Sequence, residues 1–428
     1  METEKENPTL DQIEHFVREM IEGLEPIHAD PLGRGRPRIL PALCLWAGVI
    51  ICVLRGWNSQ LKIWRLLSSL RLWDYPRFPI SDQAVYKRLE EGGEGPLKSL
   101  FEQVSEVLQE RLKPYIQTLA SFASEVVALD DTSLDKVMRH LPLLRAAGEG
   151  VKLAGKLAGV FDIRLQQWRY VEYIENPDEN ERVSAPSLLE HLQRGALILM
   201  DMGFYGFAWF DQLTQEGYYW ITRLPQKHRY KVVHTYYQQG ETLDALVALG
   251  AYRADRARYV VRLVTFRVGQ TSYRYITNVL SPHLLSLHDV AVLYARRWDI
   301  EMAFKLIKRE LGLHLFWSAK PVIILQQIWA VLLISQILHA LQLEIAGKAG
   351  VDPFDVSLTL LVDYLPDWNQ VDFVALVVER GREAGFIRPS RRIRIQTPTL
   401  ELKDYVPIPP DLCLTQTSRY AHRRSDLD

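Results

Sequence analysis

The chain has 428 residues, 48% apolar and 24% charged, which excludes a mainly disordered chain and fits two or three domains, or one domain with large insertions. With 51 Lys and Arg against 52 Asp and Glu, the formal charge is −1, so any nucleic-acid binding must rest on local basic patches. The three cysteines, Cys44, Cys52 and Cys413, form no C-x-x-C pair, which argues against a thiol zinc site and a disulfide-stapled secreted fold.

The N-terminus, METEKENPTLDQIE, is acidic and polar and lacks the basic-then-apolar order of a signal peptide. Residues 1–115 read as a helical N-terminal domain. Thr9 and Gln12 fit a capping box opening a helix that runs to about Leu24. The basic strip Arg34, Arg36, Arg38 precedes an apolar helix beginning near Pro41. Ser81 is a good N-cap for a helix that offers Gln83, Lys87 and Arg88 near one another, the pattern of a DNA recognition helix or of an ordinary surface helix.

Near Ser121 the texture turns to strands. Val126–Leu129 is an apolar strand ending at Asp130, and Ala196–Met200 is another ending at Asp201. Residues 160–165 and 168–174 read as two further strands, close enough for a hairpin. A helix is expected at 207–215 and a strand at Tyr218–Arg223. Residues 224–286 are mostly β in character, with Gly269-Gln270 as a hairpin turn. A long helix is expected from Leu287 past Glu310. The uncharged stretch Pro321–Leu343 is long enough to span a membrane, but it contains Gln326, Gln327, Gln336, His339 and Gln342. These are expensive in lipid, so it reads as a core helix. Residues 346–428 carry the basic cluster Arg388, Arg391, Arg392, Arg394 and read as a region for dimerisation or DNA contact.

The segment from Leu293 to Leu311 carries the chemistry. On a helical wheel with Tyr294 at zero, Arg297, Glu301 and Lys308 fall within about 60° of it, at about 100° per residue. Leu293, Ile300, Phe304, Ile307 and Leu311 lie directly beside this stripe rather than opposite it. Charges at the edge of a core are usually paired or bound to something. If the strands ending in Asp130 and Asp201 are neighbours, both carboxylates emerge at one sheet edge, and Glu301 from a packing helix completes a cluster. Three close carboxylates repel one another unless divalent cations intervene, and hard oxygen ligands favour Mg²⁺ or Mn²⁺. Two such ions about 4 Å apart suit phosphodiester chemistry. Singly, each residue has a plainer account: a turn aspartate, an i,i+4 ion pair, packing aromatics.

The spacing Tyr294-x2-Arg297-x3-Glu301-x6-Lys308 resembles the Y-R-E-K signature of the insertion-sequence-4 family of DDE transposases. Trp298 and Ile300 fit the same signature. Asp130-Asp131-Thr132-Ser133-Leu134 is similar to that family's first-aspartate motif and Asp201-Met202-Gly203-Phe204 to its second, and Ile276-Thr277-Asn278 also fits. The resemblance implies an α/β fold: an RNase H-like catalytic core (116–223 and 287–345) interrupted by the β-rich insertion at 224–286. It implies Asp130, Asp201 and Glu301 as catalytic metal ligands for two Mg²⁺, with Mn²⁺ able to substitute. Tyr294, Arg297 and Lys308 would contact phosphates, and Trp298 would stack on a displaced base. It further implies a bacterial, cytoplasmic, DNA-associated homodimer acting on transposon-end and target DNA by cut-and-paste transposition, with no nucleotide cofactor and no membrane partner. The alternatives are an inactive or repurposed sequence-specific DNA-binding protein and a related metal-dependent nuclease that cuts without joining.

Overall fold

The computed structural model describes residues 17–24, 39–134, 155–176, 181–251, 253, 255–313, 316–318, 320–364, 372–390 and 395–417. Most of the helix expected from Thr9, the strip at Arg34, Arg36 and Arg38, and Arg391, Arg392 and Arg394 lie outside them. Of the first helix, residues 17–22 are described and helical.

One nine-stranded sheet organises the molecule: β1 (Val126–Ser133), β2 (Lys156–Asp162), β3 (Gln167–Ile174), β4 (Leu197–Met200), β5 (Tyr219–Arg223), β6 (Tyr230–Gln239), β7 (Thr242–Leu249), β8 (Val261–Val268) and β9 (Thr271–Thr277). Their order is β3-β2-β1-β4-β5-β9-β8-β7-β6. The first three strands pair antiparallel, and β1, β4 and β5 run parallel. This five-strand arrangement is an RNase H-like core in an α/β fold. The strands of 224–286 extend the same sheet, because β9 pairs antiparallel with β5. Asn278 fixes this junction: its Oδ1 accepts from Trp220 N at 2.9 Å and its Nδ2 donates to Tyr218 O at 2.7 Å. Gly269 makes the β8–β9 turn with φ +59°, a left-handed conformation that costs glycine little.

The sheet is buried on both faces, as parallel strands with long apolar runs require. Val126 and Ala128 of β1 belong to one core cluster, while Val127 and Leu129 belong to another. The second core is closed by α5 (Glu181–Leu189) and α6 (Phe207–Gln215). The first is closed by helices from both ends of the chain. α1 (Ala42–Leu54), α4 (Gly95–Leu112) and α11 (Phe373–Arg380) all pack on α9 (Pro321–Ala349). Between them in sequence lie α2 (Gln60–Arg65), α3 (Asp82–Gly92), α7 (Leu287–Ala295), α8 (Trp298–Lys305) and α10 (Leu358–Tyr364).

By length and composition, α9 could cross a membrane, but 83% of its most apolar stretch is buried inside the molecule. Its polar side chains are bonded to the surrounding protein. Gln326 donates to Leu89 O and Gly93 O, and Gln342 donates to Pro353 O and Val356 O. Gln336 accepts from Trp168 N and donates to Trp168 O and Ser105 Oγ. A buried amide left unbonded would cost about 1–3 kcal/mol, so these contacts also fix where α9 sits along its neighbours.

Two expectations from the sequence are corrected. β1 does not end at Leu129 but continues to Ser133, because residues 130–133 pair with β2 from Gly159 back to Lys156. Lys156 also holds Asp131 at 2.5 Å. The long helix from Leu287 is broken. α7, opened by a capping box between Ser286 and Asp289, stops at Ala295, and α8 starts at Trp298. Between them Arg296 N, Arg297 N and Asp299 N each bond a carbonyl three residues back, which tightens the turn. After α8 the backbone widens into a π-turn over Leu306–Glu310.

Candidate active site

Side chains alternate across a strand, so the core assignment fixes where the strand ends point. Val126 and Ala128 face the first core, and so does Asp130 two residues on. β1 and β4 pair Val126 with Leu197 and Leu129 with Met200, which brings Asp130 level with Asp201. β4 and β5 pair Leu197 with Tyr219 and Leu199 with Ile221, which brings Asp201 level with Arg223. Leu197, Leu199 and Ile221 belong to that same core. Asp130, Asp201 and Arg223 therefore form one row across three parallel strands, on the face covered by α8.

Arg297 joins this row to the helix. Its guanidinium lies 3.5 Å from Asp130 Oδ2 and donates to Glu301 Oε1. Only 8% of its side chain is exposed, against 30% for Glu301. Asp130 Oδ1 accepts from Asp131 N at 2.9 Å, and Asp201 Oδ1 accepts from Gly203 N, capping a short turn. Burial pushes the Asp130 carboxyl up to about 7, and the negative charges of Asp201 and Glu301 push in the same direction against the pull of Arg297. The other two carboxylates thus both act on Asp130. Among the described residues, no three His, Cys, Asp or Glu side chains are close enough to share an ion as they stand, since the Arg297 cation sits between Asp130 and Glu301.

The remaining members of the stripe surround this centre. Tyr294 is buried, with its hydroxyl pushed up to about 12 mainly by burial, and its ring lies 4.8 Å from that of Tyr275. Arg297 and Arg223 lie over the Tyr294 ring at 5.9 and 5.7 Å. Trp298 is 49% exposed, with Arg297 over its ring at 5.4 Å. Lys308 reaches back to β1, donating to Ser133 O at 2.7 Å.

Lys87 and Arg88 lie on α3, in the helical part of the chain. Lys87 is exposed and pairs with Glu91 at 3.7 Å. Arg88 turns inward: it donates to Leu40 O and lines a cavity of about 320 Å³ with Ile39, Leu40, Ile80 and Ala84. Its guanidinium is thus engaged with the backbone and does not form the exposed basic pair with Lys87 that the spacing suggested. Arg223 was missed by the sequence reading. Its signal was available, because it ends the third parallel strand, two residues beyond the buried Ile221.

Residues 147–337 match the family model described as "Transposase DDE domain". Over that stretch the chain is similar to a transposase DDE domain. The match supports DNA transposition as the function and DDE transposase as the enzyme class; such enzymes generally use divalent metal ions. The matched span contains Asp201, Tyr294, Arg297, Glu301 and Lys308, and it begins after Asp130, which joins the site through the β1–β4 register. No curated protein matches the chain in sequence. Among solved structures, the cryo-EM structure of a piggyBac transposase synaptic complex with hairpin DNA is similar, with a TM-score of 0.41 and 10% identity over 93% of this chain and 87% of that one.

Proposed function

We propose that this transposase belongs to the insertion-sequence-4 group and acts as a homodimer on the ends of its own element. It cleaves the end phosphodiesters and transfers the freed strands to target DNA by cut-and-paste. Asp130, Asp201 and Glu301 are the catalytic residues and hold two divalent ions, Mg²⁺ or in substitution Mn²⁺. The donor set fits such ions: hard carboxylate oxygens, with Asp130 pushed toward neutrality by burial and, less strongly, by the charges of Asp201 and Glu301, a penalty that a bound cation removes. Bound there, the ions would activate a water or 3′-hydroxyl and stabilise the leaving oxygen.

The chain's own groups do the rest. Arg297, Lys308 and Arg223 supply charged donors for the phosphates beside the cut. Tyr294 stays protonated near neutral pH, which suits it to donate a hydrogen bond to a phosphate rather than to act as a base. Trp298 offers an open aromatic face to an unstacked base. Lys227, Arg229, Arg253 and Arg274 extend this basic surface past Tyr205 and Tyr230, and among the described residues no carboxylate pairs with them. Lys87 on α3 and the C-terminal region add DNA or dimer contacts, and the protein works in the bacterial cytoplasm.

The observation that carries this reading is the shared row of Asp130, Asp201 and Arg223, with Arg297 bridging Asp130 to Glu301. The test is cleavage of end DNA in Mg²⁺ by wild type and by Glu301→Gln. Cleavage should be lost in the variant; equal rates would remove Glu301 from the mechanism.

A further inference from the structure

Arg296 and Arg297 are consecutive, but they leave the break between α7 and α8 in different directions. Arg297 enters the acidic row. Arg296 enters the protein interior, 3% exposed, where it donates to Asp352 and lies 3.3 Å from Gln117 Oε1 and 5.1 Å from the Phe354 ring. Asp299 and Glu301 divide in the same way. Glu301 joins Arg297, while Asp299, 2% exposed, faces Arg296 at 3.7 Å. A working pair and a buried pair thus stand back to back on one turn of chain.

The buried pair has a partner on the sheet. Gln166 lies in the β2–β3 turn with φ +52°, a conformation that side chains other than glycine rarely adopt. Its Nε2 donates to Asp299 Oδ2 at 2.6 Å and to Ile163 O at 2.9 Å. The turn is held from below, since Asp162 Oδ1 accepts Leu165 N at 2.9 Å, and Arg164 bonds the carbonyls of Leu119, Ala120, Ala123 and Ser124. Asp352 caps the short turn after α9 by accepting Phe354 N at 2.9 Å. The break is therefore tied to the sheet through Gln166 and to the end of α9 through Asp352.

Buried ion pairs seldom repay their desolvation as stability, and their best-attested use is to fix a geometry. Without a Gly or Pro in Ala295-Arg296-Arg297-Trp298, the local sequence gives the helix no reason to break there. We propose that Gln166 and Asp299 are positioning residues for the transposition site: they hold the α7–α8 break so that Arg297 and Glu301 face Asp130. Outer partners that orient metal ligands commonly change metal affinity or activity by about 10- to 100-fold when removed, and Gln166 and Asp299 would orient Glu301 through the backbone of the break, at the lower end of that range. This proposal rests on the metal-site reading above.

The test uses the full chain and Mn²⁺ itself, with binding followed by the paramagnetic signal of the free ion, well below the melting temperature. Asp299→Asn and Gln166→Met are each compared with wild type, and Gln166→Asn serves as the conservative exchange. The expected result is a dissociation constant about 10-fold weaker in the first two, partly restored in Gln166→Asn, with a parallel rise in the Mn²⁺ needed for half-maximal end cleavage. If Asp299→Asn fails to fold, Gln166→Met decides. Unchanged Mn²⁺ affinity and cleavage in a folded variant would overturn the positioning role. Absence of Mn²⁺ binding in wild type would instead overturn the metal-site reading, and the positioning role with it.

Discussion

Two polar assemblies lie inside largely apolar surroundings, and they are built on opposite terms. Along α9, neutral amides are bonded to the protein around them: Gln326, Gln336 and Gln342 each meet backbone groups of neighbouring segments. At the edge of β1 and β4, like charges are crowded, one arginine serves two carboxylates, and Asp130 is pushed up to about 7. The first arrangement lowers the energy of one fixed structure. The second keeps an electrostatic cost in the fold that Arg297 offsets in part and a bound cation would offset further, which is how functional groups differ from structural ones.

Neutralising the crowded site should therefore separate activity from stability. Asp130→Asn should slow end cleavage by about 10³-fold or more, roughly 4 kcal/mol of barrier, if Asp130 holds metal as proposed. With divalent ions chelated, its melting temperature should equal or exceed that of wild type, because a costly charge is gone. A melting temperature well below wild type would break the contrast. Gln336→Leu should do the reverse. It leaves Trp168 N–H without its side-chain acceptor and removes the donor to Trp168 O and Ser105 Oγ, and should cost about 2–4 kcal/mol in urea unfolding, with no change in Mn²⁺ affinity. A weakened metal site in that variant would mean that the two assemblies are coupled.

The smallest expected effect concerns acid. His339 is buried beside Phe161, and burial lowers its imidazole to about 4 from its usual 6.5. A group with a depressed folded value contributes stability above pH 6.5 and loses it as pH falls toward 4. Between pH 6.5 and 4.5 wild type should lose about 2 kcal/mol through this residue. His339→Leu should flatten that part of the stability curve, and an unchanged slope would assign acid sensitivity to other groups.

The sequence made the strand ends legible because four apolar residues running into an aspartate is a short, local pattern. The polar residues of α9 likewise spoke against a lipid-facing helix. The break before Trp298 was not legible, since it depends on Arg296 and Asp299 finding partners more than 50 and 130 positions away. α5 was missed for a local reason: Pro186 sits inside it and its apolar periodicity is weak. The inward turn of Arg88 was not legible, because spacing along a helix does not reveal a carbonyl, that of Leu40, 48 residues upstream. Arg223 would have emerged if the neighbouring strand had been followed to its end.

The alignment of β1 with β4 has a mechanical corollary. A pleated strand can shift only in whole residues, and a single step turns every side chain to the opposite surface. The spacing between Asp130 and Asp201 is therefore set in discrete increments, and deleting one residue from Leu197–Met200 would swing Asp201 through the sheet to the layer of α5 and α6. Gradual adjustment of this chemistry is left to the helix side, where rotation and tilt are continuous.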